Sequence, residues 1–219
     1  MTPSKVEVID SENGRVYLVN GREYISVTTP LSILAMPYLE IWRARKGKKV
    51  ADSIAAKAAA QGSTIHSYID KICNGKEVEI AYKYSTVMGK FQEWFAENVI
   101  KVWETEKVVW SDKYMVGGRY DFLGEIKGYD GLTIIDWKSG RIKKEHFLQL
   151  AAYRHLTYER NKKIKLSDIK RRLVVQVKDD EVKEVWPEKE KGIDTNIDRD
   201  WEVYLSLLTV YNWYKEKKK

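Results

Sequence analysis

The sequence predicts an α/β domain with a helical N-terminal lobe. Three observations carry this. Alternating or apolar runs of strand length recur over residues 5–28, 107–138 and 170–186, punctuated by Asn-Gly and Asp-Gly turn dipeptides. Stretches with apolar residues at helical spacing lie between them. The chain has 219 residues and is 43% hydrophobic, enough for one domain with a sizeable core. We read one domain over 1–219, with a meander and helical lobe over 1–103 and a core over 104–219.

VEVID, RVYLVN and EYISVT, within residues 5–28, alternate and are separated by Asn13-Gly14 and Asn20-Gly21. That pattern predicts a β-meander. Thr28-Thr29-Pro30 reads as a helix start with Pro30 at the first position. Leu31, Leu34, Tyr38, Ile41 and Trp42 continue it at helical spacing, and a basic cluster, Arg43 to Lys49, follows. Residues 50–73 read as a helix with a break or bend at Gln61–Thr64, stopped by Asn74-Gly75. Residues 84–103 read as a second long helix, with Phe91, Trp94, Phe95, Val99 and Val102 near one face.

Strands are expected at 107–110 and 114–124, around a turn at Ser111-Asp112-Lys113. A third, LTIIDWK over 132–138, is entered through Asp130-Gly131. Residues 145–160 read as a helix, 170–178 and 181–186 as a hairpin, and 197–214 as a terminal helix. No internal repeat or low-complexity linker interrupts the chain.

Composition narrows the function. The 39 Lys and Arg outnumber the 32 Asp and Glu, which suits a polyanionic partner. Eight Trp and fourteen Tyr among basic residues suit base stacking along a single strand. One cysteine, Cys73, excludes a disulfide framework, a four-cysteine zinc site and a cysteine-held iron–sulfur cluster. No apolar run approaches the roughly 20 residues that span a bilayer, and residues 1–14 lack a signal-peptide apolar core. An intracellular, cytoplasmic location follows as the expectation.

The chemistry concentrates in Gly117 to Tyr153. In a strand, residues two apart share a face, so Asp136 and Lys138 point together. Asp136 follows the apolar run LTII, where an unpaired carboxylate would be costly. Lys138 or a metal ion would satisfy it. Asp121 sits in the preceding strand, and adjacent strands lie about 4.8 Å apart, so two carboxylates can converge on one ion. Oxygen ligands of this kind suit Mg²⁺ or Mn²⁺. Such an ion would serve phosphodiester hydrolysis, with Lys138 orienting water or stabilising developing charge. A buried Asp–Lys ion pair beside an unrelated strand aspartate would leave the same pattern. Gln149 and Tyr153 are four apart, on one helix face; a pair that holds phosphate or the lysine has this spacing, and a polar stripe at the helix boundary, the simpler reading of the pair alone, has it too.

The ordered motifs Gly62-Ser63-Thr64-Ile65-His66, Gly117 to Asp121, Ile135 to Gly140, and Gln149-Leu150 with Tyr153 resemble the RecB-type branch of PD-(D/E)XK nucleases. Ser26-Val27-Thr28-Thr29, with Leu39 and Trp42, is similar to phage and mitochondrial genome maintenance exonucleases of that branch. The resemblance implies a restriction-endonuclease-like core, a central mixed sheet flanked by helices, with 104–219 as the catalytic core. It implies that His66, Asp121, Asp136 and the Trp137 carbonyl bind Mg²⁺ or Mn²⁺. Lys138 is then the catalytic lysine, and Gln149 and Tyr153 complete the site and contact DNA. Glu106, or alternatively Glu104, matches an acidic position of many relatives.

The activity implied is a metal-dependent DNA exonuclease preferring single strands or ends, in replication, recombination or repair, and of viral or phage origin. A host-cell cytoplasmic location would follow from that origin. The basic segments Arg43 to Lys49, Arg141 to Lys144 and Lys170 to Arg172 are candidate phosphate contacts. A structure-specific endonuclease and a non-catalytic DNA-binding subunit with the same fold stay open, as does the oligomeric state.

Overall fold

A computed structural model of the chain describes residues 5–11 and 14–216. The expected meander is present as β1 (Val6–Ser11), β2 (Gly14–Val19) and β3 (Arg22–Ser26), all antiparallel. Asn20 and Gly21, with φ of 52° and 80°, form the two-residue turn whose backbone matches the twist of a hairpin. Of the other expected turn, Asn13 lies outside the described residues, and Gly14 has φ 108°.

Helix α1 (Thr28–Lys46) begins two residues before Pro30, with Val27 as its N-cap and no side-chain cap. Pro30 is therefore not its first residue. The Ser26 hydroxyl accepts from the Thr28 N–H instead (3.3 Å). Gly47, with φ 79°, turns the chain into α2 (Lys48–Cys73). No break occurs at Gln61–Thr64; α2 runs through it. Gly62 is used for close approach, since a methyl there would lie 3.2 Å from Ser139 Oγ. Asn74 caps α2 and Gly75 takes φ 64°, as the stop signal predicts.

The second long helix is shorter than its sequence suggests. A 3-10 turn at Tyr82–Tyr84 leads into α3 (Ser85–Asn98), and Val99 already starts β4 (Val99–Ser111). Pairing decides this: Val99 sits opposite Ile126 of β5 (Val116–Ile126), and VIKVW is rich in β-branched and aromatic side chains. β6 (Leu132–Lys138) and α4 (Glu145–Arg160) fall where the sequence places them. β7 (Ile169–Lys178), β8 (Glu181–Val185) and α5 (Ile197–Glu216) complete the chain.

The strands form one mixed eight-stranded sheet in the order β1-β2-β3-β5-β6-β7-β8, with β4 also paired to β5. The meander thus extends the central sheet through the parallel contact of β3 with β5. Helices cover both faces. Leu150, Leu156, Tyr204 and Leu208 of α4 and α5 pack with Val116, Ile134 and Val174 on one side. Ile65, Ile69, Met88 and Phe91 of α2 and α3 pack with Phe122, Trp137 and Val175 on the other. Phe91, Trp94 and Phe122 each meet the Trp137 ring at centroid distances of 5.4–5.9 Å. The end of α1 and the first half of α2 project from this body. Leu34, Tyr38 and Ile41 are exposed, so the apolar stripe of α1 is not a core face beyond Leu31. Among the described residues no helix is long and apolar enough to cross a membrane.

β5 changes partner along one edge, and this places the site. Its start pairs with β3 at Val116 and Gly117; its far half pairs with β6 from Phe122 to Glu125. Between these two contacts the edge at 118–121 is left open.

Candidate functional site

Where β5 and β6 part, the backbone N–H of Trp137 loses its strand partner. The Asp121 carboxylate takes its place, accepting through Oδ2 at 2.8 Å. That bond fixes Asp121 and leaves Oδ1 facing the opening. A cleft of about 600 Å³ lies here, lined from β5 and β6 and from α2, α4 and the meander.

α2 delivers His66. Its Nε2 lies 2.9 Å from the Trp137 carbonyl oxygen, which can only accept, so the ring donates through Nε2. Nδ1 then faces Asp121 Oδ1 at 3.5 Å and Glu106 Oε1 at 3.8 Å. A ring whose far nitrogen is anchored to a carbonyl is the usual arrangement of a metal-ligating histidine. The Trp137 carbonyl, implied by the resemblance as a ligand, is occupied by His66 in this arrangement.

Of the two glutamates, Glu106 faces the cleft. It has φ 46°, a left-handed conformation uncommon for glutamate, in the middle of β4. Its other oxygen, Oε2, lies 2.7 Å from Arg119 Nε. Glu104 goes elsewhere, accepting from the Tyr120 hydroxyl and approached by Lys107 at 3.4 Å. Ligand atoms of His66, Glu106 and Asp121 lie within 4.8 Å of one another.

Asp136 and Lys138 share a face as predicted, with Lys138 Nζ 2.5 Å from Asp136 Oδ2. Yet Asp136 Oδ2, fully buried, has no partner of hydrogen-bonding geometry. From α4, Gln149 Nε2 donates to the Tyr153 hydroxyl (3.3 Å), and both line the cleft. Gly118 makes room for the Tyr153 ring: a methyl there would fall inside contact distance of Cε1. The close approach expected at the paired glycines is therefore to Tyr153, and at Gly117 to Tyr17, 3.2 Å from its Cβ.

The electrostatics favour a cation at this point. Burial works against a charged His66, but Asp121, Glu106 and Asp136 outweigh it and raise the ring to about 10. Burial likewise opposes ionised Asp121, and His66 and then Lys138 hold it below the usual carboxylate range. Burial pushes Asp136 up to about 6; Lys138 pulls it down and the Asp121 charge adds to the rise. Burial also disfavours Lys138 in its charged form, but Asp136 and then Asp121 raise it. The proton on His66 serves where a divalent ion would. The donor set fits such an ion: hard carboxylate oxygens and one imidazole, with the Lys138-paired Asp136 carboxylate lining the same cleft.

His66, Glu106, Asp121, Asp136, Lys138, Gln149 and Tyr153 line this cleft, and Trp137 meets it through its backbone. Glu104 and the three basic segments expected to contact phosphate are not in its lining, and Arg172 of the last segment is buried against Asp200. Asp10, Arg15, Tyr17, Asp70 and Arg119 also line it and were not foreseen. Arg119 carried a signal, two residues before Asp121 on one strand. Asp70 did too, one helical turn after His66. Asp10, Arg15 and Tyr17 carried none, because β3 brings the meander here only by pairing with a strand some 90 residues later.

A family model described as the PD-(D/E)XK nuclease superfamily matches residues 41–209. No curated protein matches the chain.

Proposed function

Because the chain belongs to the PD-(D/E)XK nuclease superfamily, whose restriction-endonuclease-like mixed sheet and flanking helices it has, we propose that it is a Mg²⁺- or Mn²⁺-dependent deoxyribonuclease. Its substrate is a single strand or a DNA end, and it acts as an exonuclease of the RecB-type branch. The observation that carries this is the convergence of His66, Glu106 and Asp121 beside the buried Asp136–Lys138 pair.

His66 Nδ1, Asp121 Oδ1 and Glu106 would hold the ion, and Asp136, paired with Lys138 in the same cleft, would join them. An ion bound there supplies polarisation of a phosphoryl oxygen and acidification of water. The chain's own groups do the rest. Lys138, kept charged by Asp136, orients the attacking water and stabilises negative charge as it develops. Tyr153 stays protonated because burial pushes its hydroxyl well above the usual range, so it donates to a phosphate oxygen. Gln149 holds that hydroxyl in place.

End-labelled single- and double-stranded DNA and a closed circle, each with Mn²⁺ and with chelator, test the reading. We expect mononucleotide or short products from free ends, only with metal, and an intact circle. Cutting of the circle would show an endonuclease. Salt-sensitive binding with no metal-dependent product would show a binding subunit.

A further inference from the structure

The family match begins at residue 41, yet one wall of the cleft comes from the meander ahead of it. That wall has its own cation. Arg15 on β2 lies two residues from Tyr17 and so shares its face, toward the cleft. Its Nε is 2.7 Å and its Nη2 3.3 Å from the Asp10 carboxylate across the hairpin. One edge of the guanidinium is thus fixed and the rest is left toward the cleft; the side chain is 43% exposed.

Arg119 presents a second guanidinium from β5. It meets Glu106 through Nε and is 45% exposed. Asp10 is held below the usual carboxylate range by Arg15 first and also by Arg119, which sets the two arginines along one stretch of cleft. Lys138, the remaining cation of the cleft floor, is tied to Asp136. Arg15 and Arg119 are paired too, but each holds its carboxylate by part of the guanidinium and is more exposed than Lys138, which leaves them the better placed cleft cations for a further anion. Planar guanidinium forks suit phosphate oxygens in pairs.

We propose that Arg15 and Arg119 form a phosphate seat beside the metal-binding cluster, in which the meander grips the nucleic-acid strand one phosphate away from the one being cut. This rests on the nuclease reading above. It makes the meander part of the substrate site rather than an extension of the sheet alone. It also assigns Arg15 a role in binding and none in the chemical step, because it has no contact with the cluster around His66.

The test uses the full chain with Arg15→Gln and Arg15→Lys, on single-stranded oligonucleotides with and without terminal phosphates. We expect R15Q to raise KM about tenfold with kcat within about twofold, the mark of lost uniform binding. The slope of log affinity against log salt should shrink by about 0.7, one single-strand phosphate contact. R15K, which keeps the charge but not the fork, should keep the slope and still raise KM. Mn²⁺ affinity measured without DNA, and melting temperature, should match wild type for both. An equal loss on all substrates places a backbone phosphodiester in the seat; a loss confined to phosphorylated ends places a terminal phosphate there. Wild-type KM and slope in R15Q would overturn the proposal, as would a wild-type KM in R15K if R15Q fails to fold. A wild-type protein that cleaves nothing overturns the nuclease reading instead, while metal-free binding still reports on Arg15.

Discussion

Gly118→Ala tests how tightly the site is built. The glycine does not have a left-handed φ, so alanine adds no backbone strain, and its cost is steric. The new methyl would fall inside the roughly 3.5–4 Å of a normal carbon contact with Tyr153 Cε1. It would also stand 3.1 Å from the Tyr153 hydroxyl oxygen and 3.2 Å from Cζ. The ring has little room to retreat: Tyr153 is 3% exposed, and the Tyr120 ring stands 6.3 Å away, centroid to centroid. Overpacking of a well-filled site costs about 1–3 kcal/mol, and a ring this enclosed belongs in the upper half of that range. For a chain of this length, about 2–3 kcal/mol lowers Tm by about 4–12 °C. The displaced ring must also carry its hydroxyl away from Gln149, so cleavage should fall together with stability. Thermal melts and urea titrations of G118A, of Tyr153→Leu and of the double variant measure this. Tyr153→Leu should recover most of the stability lost to the methyl, a coupling between the two positions. A G118A protein that melts within 1 °C of wild type (about the error of such melts) and cleaves at the wild-type rate would refute the packing argument.

Three further outcomes follow from the same geometry. Glu106→Gln should weaken Mn²⁺ binding, read by calorimetry without DNA, whereas Glu104→Gln should leave it unchanged and only destabilise, since Glu104 serves the Tyr120 hydroxyl. Arg172→Met removes one partner of a buried pair with Asp200 and two hydrogen bonds, to the Phe147 and Asp194 carbonyls. It should cost about 3–5 kcal/mol in a urea titration, because Asp200 is left uncompensated. His155, stacked on Trp201 with ring centroids 4.3 Å apart, is lowered to about 4 by burial and then by Arg154, with Asp198 opposing. The unfolded chain takes up that proton first. This contribution is therefore whole above pH 6.5 and is lost as the pH falls toward 4, by up to about 3 kcal/mol. His155→Phe keeps the stack and should flatten that part of the curve relative to wild type; identical pH curves would contradict it.

Much of the fold was legible because local signals agreed with tertiary need. LTIIDWK is apolar, β-branched and entered by Asp-Gly, and it is a central strand; Asp136 and Lys138 share a face for the same reason. What misled was local pattern that tertiary contacts overrode. Val99 and Val102 extend the helical spacing of Phe91 and Phe95, and only pairing with β5 makes 99–103 a strand. Gly62 looked like a bend, but the helix keeps it so that Ser139 can approach. The choice between Glu104 and Glu106 was not open to alternation, since both have the same parity; the left-handed backbone at Glu106 makes it. Arg15 was hidden because nothing local links the meander to Gly117.

The account rests on Lys138 acting beside an ion held by His66, Asp121, Glu106 and Asp136. The most direct measurement is Mn²⁺-dependent cleavage of end-labelled single-stranded DNA by purified Lys138→Ala, with Mn²⁺ binding measured on the same sample. The account predicts a folded protein that still binds Mn²⁺ but has lost cleavage by at least about 10²-fold. Undiminished cleavage by that variant would contradict it.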